Sequence, residues 1–341
     1  MWNLTTGTRS QCFHHGSLCS SLSFSPDSLQ LTSASMDKTI RIWNLEVSSP
    51  QLQEIPVGVV AISADGSRIA TVSREGFSVR DSASGTQVQR FVRGDGAAGQ
   101  ELQFVHPGYG DQAGLLSAAF TATGICFAAA TDRQTVDMWD ATGALVKRLP
   151  TGVRLEELEL SPTGHLLATV DRQGIVSVWE VSTGMQQCQL PHHRTHRLVF
   201  SPDGSRLATY GRGDGTRVWD SASGAQVAHV RRHSARALAF TPDNSQIAIA
   251  DRSGGLLVMD VAAEAVVHRF HRTRARAAAF SPDGKYLADA ASNTISIWNA
   301  TTGEHITSMR ADSDLESVIW HPGSRAVFTG GRGLLGYEFV T

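Results

Sequence analysis

Between Phe200 and Asp220 the chain reads FSPDGSRLATYGRGDGTRVWD, short alternating apolar–polar runs separated by turn residues. Just upstream, in RLVF (197–200), Leu198 and Phe200 fall on one face. That period of two predicts a half-buried strand. Forty residues on the same pattern returns as FTPDNSQIAIADRSGGLLVMD, and forty later as FSPDGKYLADAASNTISIWN. Aligned on the residue that ends the first run, the anchors are Phe24, Ile62, Phe120, Leu160, Phe200, Phe240, Phe280 and Trp320. The last six are forty residues apart. After each anchor comes a turn, SPDG in its clearest copies (201–204 and 281–284), where Pro presets φ, Asp caps its own backbone and Gly supplies a positive φ. A second strand follows (RLATY, KYLAD), then a polar turn (GRGDG, DRSGG). The third strand ends in an aromatic–polar step: Trp43-Asn44, Trp139-Asp140, Trp179-Glu180, Trp219-Asp220 or Trp298-Asn299. A fourth strand such as AQVAHV or EHITSM completes the unit. Four short antiparallel strands without a helix make one propeller blade.

A unit of this length with four strands and a terminal Trp-Asp step resembles the WD-repeat (WD40) β-propeller family. The resemblance covers nearly the whole chain and implies an all-β propeller of four-stranded antiparallel blades. The family's structural tetrad joins a loop His, a strand Ser or Thr, a turn Asp and the Trp. The first repeat fits it in full, with His15, Ser33, Asp37 and Trp43. Elsewhere the turn position holds Gln173, Gly213 or Ser292, and Trp gives way to Arg80, Met259 or Tyr337, so apolar packing is expected to replace the polar network. Residues 1–341 read as a single propeller domain of eight blades. The last unit ends at GYEFVT without its fourth strand, which TRSQCFHH (8–15) is expected to supply, so that both termini close one blade. WNLTTG (2–7) looks like a redundant third strand, and seven blades with 58–92 displaced is the alternative. The spacing breaks once. Residues 93–114 form a Gly-rich loop inserted between the second and third blades, either a tolerated insertion or a partner-binding loop.

Composition narrows the function classes. Of 341 residues, 41% are hydrophobic and 18% charged, which suits a folded β chain rather than a disordered one. A net charge of −2 argues against general nucleic-acid binding. Cys12, Cys19, Cys126 and Cys188 form no C-x-x-C pair and read as reduced thiols. With no apolar run of membrane-span length and no signal-peptide core, an intracellular location, cytoplasm or nucleus, is expected. GRGLLG (331–336) matches a dinucleotide fingerprint, but no βαβ unit can form five residues from the chain end. HHRTH (192–196) has no Cys or carboxylate at ligand spacing, so no metal is expected there. Arg-Gly-Asp at 93–95 and 212–214 has no extracellular context to act in. There is no G-x-S-x-G elbow, and no nucleophile–base pair emerges from spacing. The chain reads as a non-enzyme without cofactor.

Charge is distributed by turn type. In the family, connections from strand four to strand one and from two to three open on one face. The former read PHHRTHR (191–197), RRHSAR (231–236) and HRTRAR (271–276), with Arg194, Arg197, Arg231, Arg232, Arg236, Arg272, Arg274 and Arg276 and no carboxylate. The two-to-three turns add Arg74, Arg133, Arg172, Arg212, Arg252 and Arg332. Asp27, Asp65, Asp203, Asp243, Asp283, Asp81, Asp140, Asp220 and Asp260 fall on the opposite face. A solvated face accounts for part of this, since Asp132, Asp171, Asp214 and Asp251 neighbour the turn arginines and the turns themselves call for Asp. The sharper expectation is a protein-interaction scaffold or sensor. Its Arg194, Arg197, Arg231, Arg232, Arg236, Arg272, Arg274, Arg276, Arg172, Arg212 and Arg252 would bind an acidic or phosphorylated segment, probed by the arginine fork. Such a chain would work within a multiprotein complex. The alternatives are the propeller half of a larger nucleotide-switch regulator, an RNA or phospholipid-headgroup binder with steep salt dependence, and, least favoured, an enzyme with a cofactor at the channel mouth.

Overall fold

The computed structural model describes residues 2–3, 8–9, 12–13, 19–24, 29–35, 39–44, 53–56, 58–62, 68–73, 76–81, 86–92, 118–120, 126–131, 134–140, 145–192, 194–211, 213–231, 235–251, 255–270, 275–311, 314–320, 326–331 and 334–338. Every regular element among them is a strand, and the strands form eight sheets. Seven sheets are four-stranded and follow chain order, the antiparallel meander expected from the repeat. The weak repeat at 58–92 is one of them, built from Gly58–Ile62, Arg68–Ser73, Gly76–Asp81 and Gln87–Val92.

The eighth sheet contains both ends of the chain. Leu315–Trp320, Ala326–Gly331 and Leu334–Glu338 run antiparallel, and Cys12–Phe13 pairs antiparallel with the last of them, Cys12 opposite Leu335. This is the fourth strand that the C-terminal unit lacks. Trp2–Asn3 lies parallel to the same strand, Trp2 opposite Tyr337, and folds back on Thr8–Arg9. The redundant WNL segment thus extends the shared sheet along its edge, where backbone groups would otherwise be unpaired.

The chain divides into two compact units. The central unit, Val57–Gln226, holds the 58–92, 118–150 and 155–190 sheets and most of the next. Its apolar clusters span neighbouring sheets. One joins Val136, Met138 and Leu149 to Leu155, Leu158 and Leu160; the next joins Val170, Val178 and Leu190 to Leu198, Phe200 and Trp219. Second strands are buried along almost their whole length, as in Leu166–Asp171, whereas first strands such as Leu155–Leu160 alternate. A strand covered on both faces reads as a continuous apolar run, which is why LLATV and RLATY do not alternate. Each fully buried Leu or Val there contributes about 1.5–3 kcal/mol.

In the terminal unit, Met1–Pro56 with Val227–Thr341, the same seams recur. Ala248, Leu256 and Val258 pack with Phe280 and Leu287; Ile295 and Ile297 pack with Val318 and Val327. Trp320 Nε1 donates to Ala279 O at 2.9 Å and its ring stacks on Tyr286. Phe24 meets Phe328 edge to face at 5.1 Å. The repeat also sets a polar clasp between consecutive sheets in each unit. Lys147 Nζ donates to Ser182 O at 2.5 Å, and His268 Nε2 bonds Thr301 O at 3.0 Å from an equivalent register position.

Candidate functional site

The polar networks that fix the third strands are more widespread than the spacing implies. In the first repeat Trp43 Nε1 donates to Ser33 Oγ at 2.7 Å; His15 and Asp37 lie outside the described residues. Thr169 receives Trp179 Nε1 at 2.9 Å, and Thr209 receives Trp219 Nε1 at 2.8 Å. Fully buried His192 shares a 2.6 Å hydrogen bond between Nδ1 and Thr209 Oγ1, and its Nε2 faces Asp214 Oδ2 at 3.6 Å. The 192–219 segment therefore assembles a His–Thr–Trp line with a turn Asp, although Gly213 occupies the expected Asp position. The signal was present but displaced by one residue, with Gly213 and Gly215 flanking Asp214 at φ 85° and 89°. Asp214 is held by Arg217 at 2.8 Å, and Arg217 also donates to Pro191 O at 3.0 Å. Asp289 takes the equivalent place in the 277–310 sheet. It is fully buried and accepts Trp298 Nε1 at 2.6 Å, and burial pushes its carboxyl up to about 7 against that hydrogen bond. Where Met259 replaces Trp, it is buried opposite Ile247 in an apolar sheet.

In an antiparallel four-stranded sheet the two-to-three turn, the start of strand one and the end of strand four share one end. At that end of the 155–190 sheet three chain segments are stitched by backbone bonds. Arg172 N donates to Arg154 O at 3.1 Å, and Thr195 N donates to Gly174 O at 3.2 Å. Asp171, the nearest carboxylate in the turn, is buried and accepts from Gln173 N at 2.8 Å and Ile175 N at 2.9 Å, which ties it to its own loop. Arg172 and Arg194 are exposed. Gly174 passes so close to the next connection that a Cβ there would lie 2.4 Å from Arg194 Cα. Arg194 itself sits at φ 56°, while the other positive-φ non-glycine residues among those described, Gln134, Asn244, Glu264 and Ser292, occupy turns between paired strands. A left-handed Arg costs roughly 1–2 kcal/mol, and the surrounding backbone holds it there.

First strands carry a bulge near their start, between Leu155 and Glu157, Thr195 and Arg197, and Ala235 and Ala237. A bulge re-aims the extra side chain; Glu156, His196 and Arg236 are all exposed. Arg197 is two-thirds exposed and stands 3.8 Å from Glu157 Oε1. Glu159 Oε1 accepts from Phe200 N at 3.2 Å. The two glutamates thus reach across to the next first strand, whose backbone on that side has no neighbouring strand. Burial pushes Glu157 up to about 7, opposed by Arg197 and the Leu198 amide. It pushes Glu159 up to about 8, opposed by the Phe200 amide and reinforced by Glu157.

In the terminal unit Arg231 and Arg236 are exposed, and Arg276 is half-buried 3.4 Å from Asp314 Oδ2. Arg212, Arg232, Arg252, Arg272 and Arg274 lie outside the described residues, as do Arg74, Arg133, Arg332 and the 93–114 loop. At the opposite sheet ends the aspartates serve their turns. Asp243 is held below the ordinary carboxylate range by the Thr241 hydroxyl and the Ser245 amide. At Asp203 and Asp283 burial pulls upward but is outweighed by hydrogen bonds from Ser201 and Ser205, and from Ser281 and Lys285.

Among the described residues no group of His, Cys, Asp and Glu is arranged to hold a metal ion, and no helix is long and apolar enough to cross a membrane. The family described as "WD domain, G-beta repeat" matches residues 7–44 and 266–299. Each match starts at or beside a short outer strand, Thr8–Arg9 or Ala265–Phe270, and ends with the third strand of the following unit. No curated protein matches the chain. Among solved structures it is similar to the computationally designed Ika8 protein, with TM-score 0.76 and 19% identity over 96% of this chain and 98% of that one. That likeness concerns fold. WD repeats generally mediate protein–protein interaction and are generally non-catalytic. Two segments of the chain thus match the WD repeat, and its four-stranded antiparallel sheets are those of a β-propeller fold.

Proposed function

We propose that this chain is a non-catalytic protein-interaction platform acting inside the cell, and that it receives an acidic or phosphorylated segment of a partner at the arginine-bearing ends of its sheets. One observation carries the reading. Arg172 and Arg194 in the central unit, and Arg231 and Arg236 in the terminal unit, are exposed and make no ion pair among the described residues. The aspartates at the other sheet ends are occupied by their own turns. Unpaired guanidinium groups present a planar fork that engages carboxylate or phosphate through two parallel hydrogen bonds. Arg197 and Arg276, each beside a carboxylate, are expected to contribute less.

The test is affinity capture from cell lysate with the wild type, Arg172→Glu/Arg194→Glu and Arg231→Glu/Arg236→Glu, each shown by circular dichroism to keep its β spectrum. A discrete set of partners should be lost with one or both variants, and capture should weaken with salt. Partner sets unchanged by both charge reversals would contradict the reading.

A further inference from the structure

Resting on that reading, we propose that Arg154, Arg172 and Arg194 form a subsite for a phosphate monoester, supplied by a phosphorylated serine or threonine of the partner. Arg154 lies outside the arginines that the charge pattern singles out, because it precedes a first strand in a connection (TGVR) with no other basic residue. The fold brings it in. Its carbonyl takes the Arg172 amide, while the turn that carries Arg172 bonds through Gly174 O to Thr195, next to Arg194. The backbones of three arginine-bearing segments thus meet at one sheet end.

None of the three makes an ion pair among the described residues. Of the carboxylates nearest in the chain, Asp171 is buried in its turn, Glu157 faces Arg197, and Glu156 is exposed at the bulge. Backbone geometry adds a second argument. Among the described residues, Arg194 is the positive-φ non-glycine residue that no tight turn demands, and Gly174 must be glycine for the two segments to approach. Strain held by surrounding structure is characteristic of a positioned group. For three guanidinium groups carried on adjoining backbone segments, a dianion with three acceptor oxygens is a fuller partner than a single carboxylate.

The experiment uses the full chain and fluorescence anisotropy with four probes. These are a peptide pool with phosphothreonine at a fixed central position and degenerate flanks, the same pool with Thr, the same pool with Glu, and vesicles containing a phosphoinositide. The phosphothreonine pool should bind roughly ten- to a hundredfold more tightly than the Thr and Glu pools. That preference should fall in Arg154→Gln, Arg172→Gln and Arg194→Asn, the last chosen because Asn tolerates the left-handed backbone. Lys285→Gln, exposed at the opposite end of another sheet, should leave it intact. Equal binding of the phosphothreonine and Glu pools, a preference that survives the three substitutions, or binding of vesicles without the peptide would each overturn the subsite. If it is overturned while lysate capture still depends on Arg172 and Arg194, the interaction reading stands without phosphate. If capture is also indifferent to the arginines, both fall.

Discussion

Glu157 and Glu159 lose hydration at the seam between two first strands and gain only amide hydrogen bonds and one arginine in return. Their folded values, about 7 and about 8, lie above the ordinary unfolded value of roughly 4.3. The folded state therefore holds these protons more tightly, and their contribution to stability is present at low pH and lost as pH rises from about 4 through 8. The denaturant midpoint should fall between pH 5 and 8.5, and Glu159→Gln should flatten that slope. An unchanged slope would mean that Glu159 is already ionised at pH 5. The turn aspartates Asp203, Asp243 and Asp283 act in the other direction and in a different window. Their lowered values give stability that is lost only as pH falls through the acid range. Asp289 gives a second check. Thr at that register in the 155–190 and 195–220 strands accepts the indole N–H without a buried charge. Asp289→Thr should stabilise the protein by about 1 kcal/mol at pH 8 and less at pH 5.5 in chemical denaturation. Equal destabilisation at both pH values would show that the carboxylate has a structural use that Thr cannot replace.

Elements follow from the repeat with little ambiguity, since each strand is an alternating or apolar run bounded by turn residues. What the pattern could not convey is where one extra residue is tolerated. A bulge adds a residue that looks like any other in THRLVF or ARALAF, so the exposure of His196 and Arg236 had no signature of its own. Asp214 stands one residue past the position that the repeat assigns to the turn Asp, which hid its role. His15 and Asp37 were assigned on spacing, and both lie outside the described residues. The Arg154–Arg172–Arg194 grouping depends on contacts between three loops, which no period in the chain encodes. The Gly174 crossing can be tested at this scale. Gly174→Ala adds both a positive-φ penalty and a clash with Arg194 backbone, whereas Gly213→Ala at φ 85° meets no atom within 4 Å. Thermal or chemical denaturation should show a loss of about 1 kcal/mol for Gly213→Ala and clearly more, on the order of 2–4 kcal/mol, for Gly174→Ala. Equal losses would mean that the two segments are not in contact.

At the scale of the molecule, in a chain of net charge −2, the described residues carry Arg172, Arg194, Arg231 and Arg236 at one end of their sheets and Asp203, Asp243 and Asp283 at the other. The antiparallel order makes this separation almost automatic once one turn type favours Asp and the other connections favour Arg. The central claim is that partner proteins meet the arginine ends. The most direct measurement is in-cell photo-cross-linking, with a photoreactive residue placed singly at 196 or 236 and, for comparison, at 203 or 283, all exposed positions. Protein adducts should form from 196 and 236 and be much weaker from 203 and 283. Adducts confined to 203 and 283 would contradict the account, because partners would then be meeting the aspartate ends of the sheets.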